Sequence, residues 1–140
     1  MKQKKKSKLQ KRIEDSNSKY WRNKGDYLWR NIIVLKAGNK CVVCNATEYI
    51  QAHHMIPREM GSHRHEINNG ISLCPSCHKY SYIRSAHKAP VAFYGWLSKN
   101  KPEIWAWLLI QEPTKSNITD YKIIVEQLSI KLDELNCKLN

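Results

Sequence analysis

Apolar residues recur at helical spacing near the start of this chain. In residues 17–37 the apolar positions are spaced seven, four and three residues apart: Trp21, Leu28, Ile32 and Leu35. This spacing predicts an amphipathic helix. Gly25 weakens it locally, and Gly38 with Asn39 supplies a stop signal at its end.

Two shorter apolar stretches follow in the second half of the chain. Residues 91–99 and 103–111 are rich in Trp and Leu and predict two short helices. Pro102 separates them and Pro113 ends the second, because a proline disfavours helical geometry in the residue before it.

The C-terminal segment has a heptad-like pattern. Between residues 118 and 139 the apolar positions alternate at spacings of three and four: Ile118, Tyr121, Val125, Leu128, Leu132, Leu135 and Leu139. Such a seam is typical of an amphipathic helix that packs on its own domain, and equally of a coiled coil that forms a homodimer. Three heptads are the lower limit for a coiled-coil signal, which slightly favours packing within the chain.

The middle of the chain predicts strands rather than a long helix. Residues 51–57 form a candidate strand that ends at a proline, and residues 71–73 form a second one after an Asn-Asn-Gly turn. A helix from Cys74 to about Tyr82 would complete a ββα unit, with a polar loop over residues 58–67. Adjacent His53 and His54 would then point to opposite faces of the strand.

Composition and charge limit the classes of protein. The 140 residues suit one domain, and 41% hydrophobic residues allow a packed core. No apolar run is long enough to span a membrane, and no secretory signal is visible, so we expect a protein of the cytoplasm, bacterial or phage-encoded in a host cell. Lys and Arg number 24 against 12 Asp and Glu, a net charge of +12, which makes a polyanion the natural partner.

The positive charge is concentrated at the N-terminus. The opening MKQKKKSKLQKR carries seven positive charges in twelve residues, so residues 1–16 are expected to form an extended, flexible basic tail. The tail is interpreted either as a solubilising segment or as one that binds phosphates without reading sequence. Its candidate DNA-binding residues are Lys4, Lys5, Lys6, Lys8, Lys11 and Arg12.

Four cysteines predict a structural zinc site. They form two C-x2-C pairs, Cys41 with Cys44 and Cys74 with Cys77. A lone pair could be a redox motif, but two pairs together can complete a tetrahedral four-sulfur site for zinc. The short, polar segment between them would then depend on zinc for much of its folding free energy. Cys137 lies outside this set and is expected to have no chemical role.

The histidines between and after these pairs resemble a known family. The pattern HH-x-x-P, here HHMIP at 53–57, precedes N-G-x-x-L-C-x-x-C-H, here NGISLCPSCH at 69–78. Together they resemble the HNH endonucleases, the zinc-bearing ββα-metal nucleases of bacteria and phages. The flanking YWRNKGDYLWRNII and SAHKAPVAF are also similar to segments of such proteins.

The resemblance implies an α+β fold with a small ββα-metal core at about residues 41–87, a four-cysteine structural zinc site and flanking helices. It also implies roles for individual residues. His53 and His78 would bind a catalytic divalent metal (Mg²⁺, Mn²⁺, Ni²⁺ or Zn²⁺), His54 would be the general base, and Asn69 would hold the loop and orient His54. The products would carry a 5′-phosphate and a 3′-hydroxyl.

One position departs from the family pattern. Some relatives have a further metal-binding histidine four residues after the helix histidine, where this chain has Tyr82. His87 is the next candidate, and a continuous helix would place it opposite His78. His87 can therefore join the metal site only if the helix ends first, near Ser85.

The loop residues have less specific interpretations. His63 and His65 are expected to be solvated or to face phosphate rather than to bind metal. Arg58 is a candidate phosphate-binding residue or an ordinary surface arginine.

These observations divide the chain into a basic tail (1–16), an HNH nuclease domain (17–112) and a C-terminal helix (113–140) with a homodimer through residues 118–139 as one alternative. The leading function is a metal-dependent endonuclease that nicks or cuts double-stranded DNA. The alternatives are a non-catalytic zinc-containing module that binds nucleic acid, and an accessory protein of phage packaging or recombination.

Overall fold

The structure is a computed structural model that describes residues 5–116, 118 and 120–139. Lys4, a candidate DNA-binding residue, lies outside these residues. The elements in chain order are five α-helices and two β-strands: α1 (Lys8–Glu14), α2 (Lys19–Lys36), β1 (Gln51–His54), β2 (Gly70–Leu73), α3 (Pro90–Asn100), α4 (Pro102–Leu109) and α5 (Tyr121–Leu139).

The basic N-terminal segment contains a helix, which corrects the expectation of an extended tail. The Ser7 hydroxyl accepts a hydrogen bond from the Gln10 amide, and the Gln10 side chain accepts one from the Ser7 amide, so α1 begins with a capping box. Lys11 and Arg12 lie in its last turn, where positive charge interacts favourably with the helix dipole. These local interactions offset the charge repulsion that the sequence suggested.

Helix α2 has the predicted apolar face. Trp21, Leu28 and Ile32 are buried, and Leu35 is half-buried. The helix ends at Lys36, and the two residues expected to stop it both have positive φ: Gly38 at 67° and Asn39 at 57°.

The two predicted strands pair antiparallel as a two-stranded sheet. His53 lies opposite Ile71, and His54 lies opposite Gly70. β1 ends at His54 rather than at Pro57, although the Met55 amide still donates to the Asn69 carbonyl at 3.0 Å. The loop between the strands contains two 3-10 turns, Gly61–His63 and Ile67–Asn69.

The segment after β2 is shorter than the predicted helix over residues 74–82. It is a single π-helical stretch, Ser76–Tyr80, closed by a hydrogen bond from the Ser81 amide to the Ser76 carbonyl. The chain then turns back along it. The Ala86 amide donates to the Cys77 carbonyl at 2.9 Å, and the His87 amide donates to the His78 carbonyl at 3.1 Å. His87 therefore lies beside His78.

Helices α3 and α4 agree with the two short helices predicted around Pro102. Phe93 and Leu97 of α3 are buried with Leu73 of β2 and three of the four paired cysteines in one hydrophobic cluster. This cluster, which we call the cysteine-side core, includes cysteines of both C-x2-C pairs. It therefore anchors the metal-binding segment.

Helix α5 packs on α2 of the same chain. Val125 and Leu128 of the heptad seam are buried in a second cluster with Trp29, Ile32 and Ile33 of α2. We call this cluster the helical core. Most of the seam thus packs within the chain, as the first of the two interpretations expected, while Leu139 at its end is exposed. No helix in the described part of the chain combines the length and hydropathy of a membrane span.

Candidate functional site

The four paired cysteines converge on one point. The sulfur atoms of Cys41, Cys44, Cys74 and Cys77 all lie within 4.8 Å of one another, and those of Cys44 and Cys74 are 3.6 Å apart. Four sulfurs bound tetrahedrally to zinc at about 2.3 Å would be separated by about 3.8 Å. The cluster is therefore compatible with a zinc site.

A tight backbone turn after the first cysteine positions Cys41 and Cys44 in this cluster. The Cys41 amide donates to the Ala46 carbonyl at 2.8 Å, and the Asn45 amide donates to the Cys41 carbonyl at 2.9 Å. Asn45 has a φ of 61°, a conformation that asparagine adopts more readily than most residues. Burial, and secondarily the neighbouring Cys41, raise the pKa of Cys77, so a cation at the centre is needed to stabilise the thiolate.

A second cluster contains three histidines. His53 comes from β1, His78 from the π-helix, and His87 from the turn that follows. Their ring centroids are separated by 4.9 Å, 5.1 Å and 4.8 Å, and one nitrogen of each lies within 4.8 Å of the others. The helix ends before His87, which satisfies the condition set by the sequence for His87 to reach this cluster.

The histidine cluster is suited to hold a divalent cation. Burial, together with the other histidines, lowers the pKa of His53 to about 3, and burial with His87 and Lys79 lowers that of His78 to about 4. Both rings are therefore neutral at neutral pH, the form that binds metal. His87 is exposed, so the cluster is accessible from solvent and three ligands leave a position for water or substrate.

Gln51 was not identified from the sequence but contacts this cluster. Its side-chain oxygen lies 2.6 Å from His78 Nδ1. An amide oxygen only accepts, so Nδ1 of His78 carries the proton and Nε2 is left free for a cation. Gln51 and His53 are two residues apart on β1 and so share one face of the strand.

His54 lies on the other face of β1, as the strand geometry predicted. Its ring is stacked on Trp29 of α2, with centroids 3.8 Å apart and planes 9° from parallel. Its Nε2 lies 2.8 Å from the Arg64 carbonyl oxygen. Burial lowers the pKa of His54, and the hydrogen bond to Arg64 opposes this only in part, so the ring is neutral at neutral pH.

Asn69 is fully buried and holds both ends of the loop between the strands. Its Oδ1 accepts from the Ile56 amide at 2.6 Å, and its Nδ2 donates to the carbonyls of Ile56 and His63 at 2.9 Å and 3.0 Å. These are side-chain hydrogen bonds to backbone. They fix the loop that carries Arg64.

The two loop histidines are placed differently from the expectation. His65 is buried, and its Nε2 lies 2.8 Å from Asp26 Oδ1, which corrects the idea of a solvated or phosphate-facing residue. His63 is half-buried, with Nε2 3.0 Å from the side-chain oxygen of Gln111. Neither belongs to a metal-binding group among the residues that the structure describes.

Arg58 is exposed and borders a polar cleft of about 480 Å³. Four cationic side chains line this cleft: Arg22, Arg58, Arg64 and Lys115. Glu59 also lines it, and Arg64 is paired with Asp26. Tyr82, the residue that departs from the family pattern, is exposed and stacks under the Lys88 ammonium group at 4.1 Å.

The described residues of the basic segment are all exposed: Lys5, Lys6, Lys8, Lys11 and Arg12. Lys6 Nζ lies 2.8 Å from Glu14, so one of these charges is paired. Cys137 is exposed on α5, away from the zinc ligand set.

Comparison with known protein families supports the sequence pattern. Residues 41–81, less than a third of the chain, match the family model described as HNH endonuclease. A search of curated proteins and a search of solved structures found no match to the chain. The matched segment contains the four clustered cysteines, both strands and the histidines of the HH-x-x-P pattern. Within residues 41–81, this chain is therefore similar to the HNH endonuclease family.

Proposed function

We propose that this protein is a metal-dependent endonuclease that hydrolyses phosphodiester bonds of double-stranded DNA. The observation that carries the proposal is the arrangement of His53 and His54. One faces two further histidines, and the other is a neutral imidazole with a fixed orientation. The two histidines are adjacent on β1 and point to opposite faces, so the candidate cation site and the candidate base flank the same short strand.

In this proposal, a divalent cation at His53, His78 and His87 would stabilise the negative charge that develops on the phosphate and on the departing 3′ oxygen. A carbonyl oxygen only accepts hydrogen bonds, so His54 carries its proton on Nε2, toward Arg64. The lone pair is then on Nδ1, which takes a proton from the attacking water. Asn69 keeps the loop, and with it this orientation, in place.

DNA as the substrate is supported by charge. The net charge of +12, the basic α1 and the cationic cleft beside Arg58 favour a phosphate backbone over a neutral substrate. Arg58, Lys5, Lys6, Lys8, Lys11 and Arg12 are the residues assigned to this interaction. The four-cysteine zinc site has a structural role in this scheme and no part in the chemistry.

The test is conversion of supercoiled plasmid to open-circle or linear DNA. The reactions contain Mg²⁺, Mn²⁺, Ni²⁺ or Zn²⁺, or EDTA, and compare wild type with His54→Ala. Loss of a general base is expected to reduce the cleavage rate by roughly 10²–10⁴-fold, with zinc content and DNA binding nearly unchanged. His63→Ala serves as the control, because it removes an imidazole that is neither the proposed base nor part of the three-histidine cluster.

Metal-dependent cleavage that persists in His54→Ala would remove the assignment of the base. A non-catalytic nucleic-acid-binding module is the second candidate, favoured by the basic α1 and cleft. Salt-sensitive DNA binding without cleavage in any metal would support that candidate and contradict the nuclease.

A further inference from the structure

Helix α2 contacts the candidate general base although it lies outside the segment that matches the HNH family. The Trp29 ring covers one face of the His54 imidazole at a centroid distance of 3.8 Å. The other constraint on His54 is the carbonyl of Arg64, at 2.8 Å from Nε2. The orientation of His54 therefore depends on where these two groups are held.

The position of Arg64 is fixed by Asp26, also on α2. The guanidinium group donates from Nε to Asp26 Oδ1 at 2.9 Å and from a terminal nitrogen to Oδ2 at 2.6 Å, a bidentate pair. His65 places its Nε2 2.8 Å from the same Oδ1. One carboxylate thus holds two consecutive residues of the loop, the first of which presents its carbonyl to His54.

Trp29 fixes the next residue of the loop. Its Nε1 donates to the Glu66 carbonyl at 2.9 Å, while its ring remains stacked on His54. Asp26 and Trp29 are three residues apart, which puts them on the same face of α2. Gly25 permits this close approach, because a Cβ there would lie 2.9 Å from His65 Nε2.

We propose that Asp26 and Trp29 are positioning residues for His54. They clamp residues 64–66 against α2 so that Nε2 of His54 stays protonated toward the Arg64 carbonyl and Nδ1 faces the reacting water. The inference rests on the proposed nuclease function for its catalytic meaning. The orientation of His54 itself does not depend on that function.

The first experiment measures the His54 tautomer in the zinc-loaded full chain by nitrogen-detected NMR of the imidazole rings. Wild type is expected to show a protonated Nε2 and an unprotonated Nδ1. Asp26→Asn is expected to give a mixture of both tautomers, because the carbonyl is no longer held by a charged bidentate pair. Asp133→Asn makes the same chemical change at an exposed site of α5 and is expected to match wild type.

The second experiment measures cleavage kinetics on a duplex oligonucleotide. A misplaced base is expected to reduce kcat by about 10²-fold with little change in KM, because Asp26 is not among the residues assigned to DNA binding. Trp29→Leu should show the same pattern, and Trp29→Phe, which keeps an aromatic face, should restore most of the rate. Trp21→Leu is the control for a lost tryptophan in the same helix and core.

Several outcomes would overturn the proposal. One is that folded Asp26→Asn keeps the His54 tautomer of wild type and an unchanged kcat. Another is that Trp21→Leu and Trp29→Leu lose kcat equally. If Asp26→Asn does not melt cooperatively, the kcat values of Trp29→Phe and Trp29→Leu are compared instead, and equal values would overturn the proposal. Absence of cleavage by wild type in every metal would contradict the nuclease function alone, since the tautomer measurement would still report on the clamp.

Discussion

The two cores of this protein differ in amino-acid composition. The cysteine-side core includes Cys41, Cys74 and Cys77 among its buried residues, whereas the helical core is made of large apolar side chains from α2 and α5. Buried cysteines behave as small hydrophobes and contribute little apolar area. The first core also contains Leu73, Phe93 and Leu97, so we expect it to depend on zinc for only part of its stability, while the second is stabilised by hydrophobic burial.

β1 lies between the two cores and has one functional side chain on each side. His53 faces the histidine cluster and Phe93 of the cysteine-side core. His54 faces Trp29 of the helical core. The candidate chemistry is therefore located where the cysteine-side core meets the helical core, and each core can be perturbed separately.

Cys41→Ser is expected to have the largest effect. Binding of a structural zinc supplies about 10–16 kcal/mol in small zinc domains, as much as the whole stability of a typical domain. Loss of one ligand should make the thermal melt non-cooperative and lower the zinc content. Cys137→Ser, an exposed change outside the cluster, should leave both unchanged. A normal melt in Cys41→Ser would show that zinc is not structural here.

Leu128→Ala perturbs only the helical core. The side chain is 5% exposed, so its truncation is expected to cost about 2–5 kcal/mol in the free energy of unfolding. Zinc content should be unchanged, because Leu128 belongs to the helical core and three of the four paired cysteines belong to the other cluster. Ile130→Ala, at a residue 61% exposed, is the matched control and should shift the denaturation midpoint little. A loss of zinc in Leu128→Ala would mean that the two cores are not separable.

Gly70→Ala perturbs the boundary between the two cores. A Cβ at this position in β2 would overlap the side chain of Ile33 and lie 2.8 Å from Trp29 Cζ2. Overpacking of this kind is expected to cost about 1–3 kcal/mol, measured by chemical denaturation. At Gly95 of α3 there is open space, so Gly95→Ala should stabilise the helix by about 0.5–1 kcal/mol. Equal stability of wild type and Gly70→Ala would contradict this packing.

Lowering the pH is expected to destabilise the region around His53 before the region around Asp26. His53 and His78 have pKa values of about 3 and 4 in the folded chain against 6.5 for an ordinary histidine, so the unfolded chain binds more protons below pH 6.5. Their contribution to stability is present above pH 6.5 and is lost as the pH falls toward 4. Protonation of the cysteine ligands, with release of zinc, acts in the same direction.

Asp26 titrates in a lower range. Burial alone would raise its pKa, but hydrogen bonds from His65 and Arg64 outweigh burial and hold the pKa well below 3.8. Its contribution is therefore present above pH 3.8 and is lost only below it. Residue-resolved amide signals should broaden first around His53 and last around Asp26. Simultaneous loss of both regions would contradict separate stabilisation.

The local elements could be predicted well because short-range signals define them. The spacing of apolar residues in α2 and α5 and the Asn-Asn-Gly signal at residues 68–70, where β2 begins, are properties of neighbouring positions. The prediction was weaker where two local tendencies compete. α1 forms because a capping box offsets charge repulsion, and the segment after Cys74 is a short π-helix rather than a longer helix.

The sequence by itself determined which cysteines and histidines are candidate ligands and the face on which each histidine of β1 lies, because metal-ligand spacing and strand alternation are local and periodic. Only the tertiary structure decided that His87 returns to His78, that α5 packs on α2, and that Asp26 and Trp29 contact the loop and His54. Each of these contacts joins residues that no local period relates. They depend on how helices and loops fill space around the sheet.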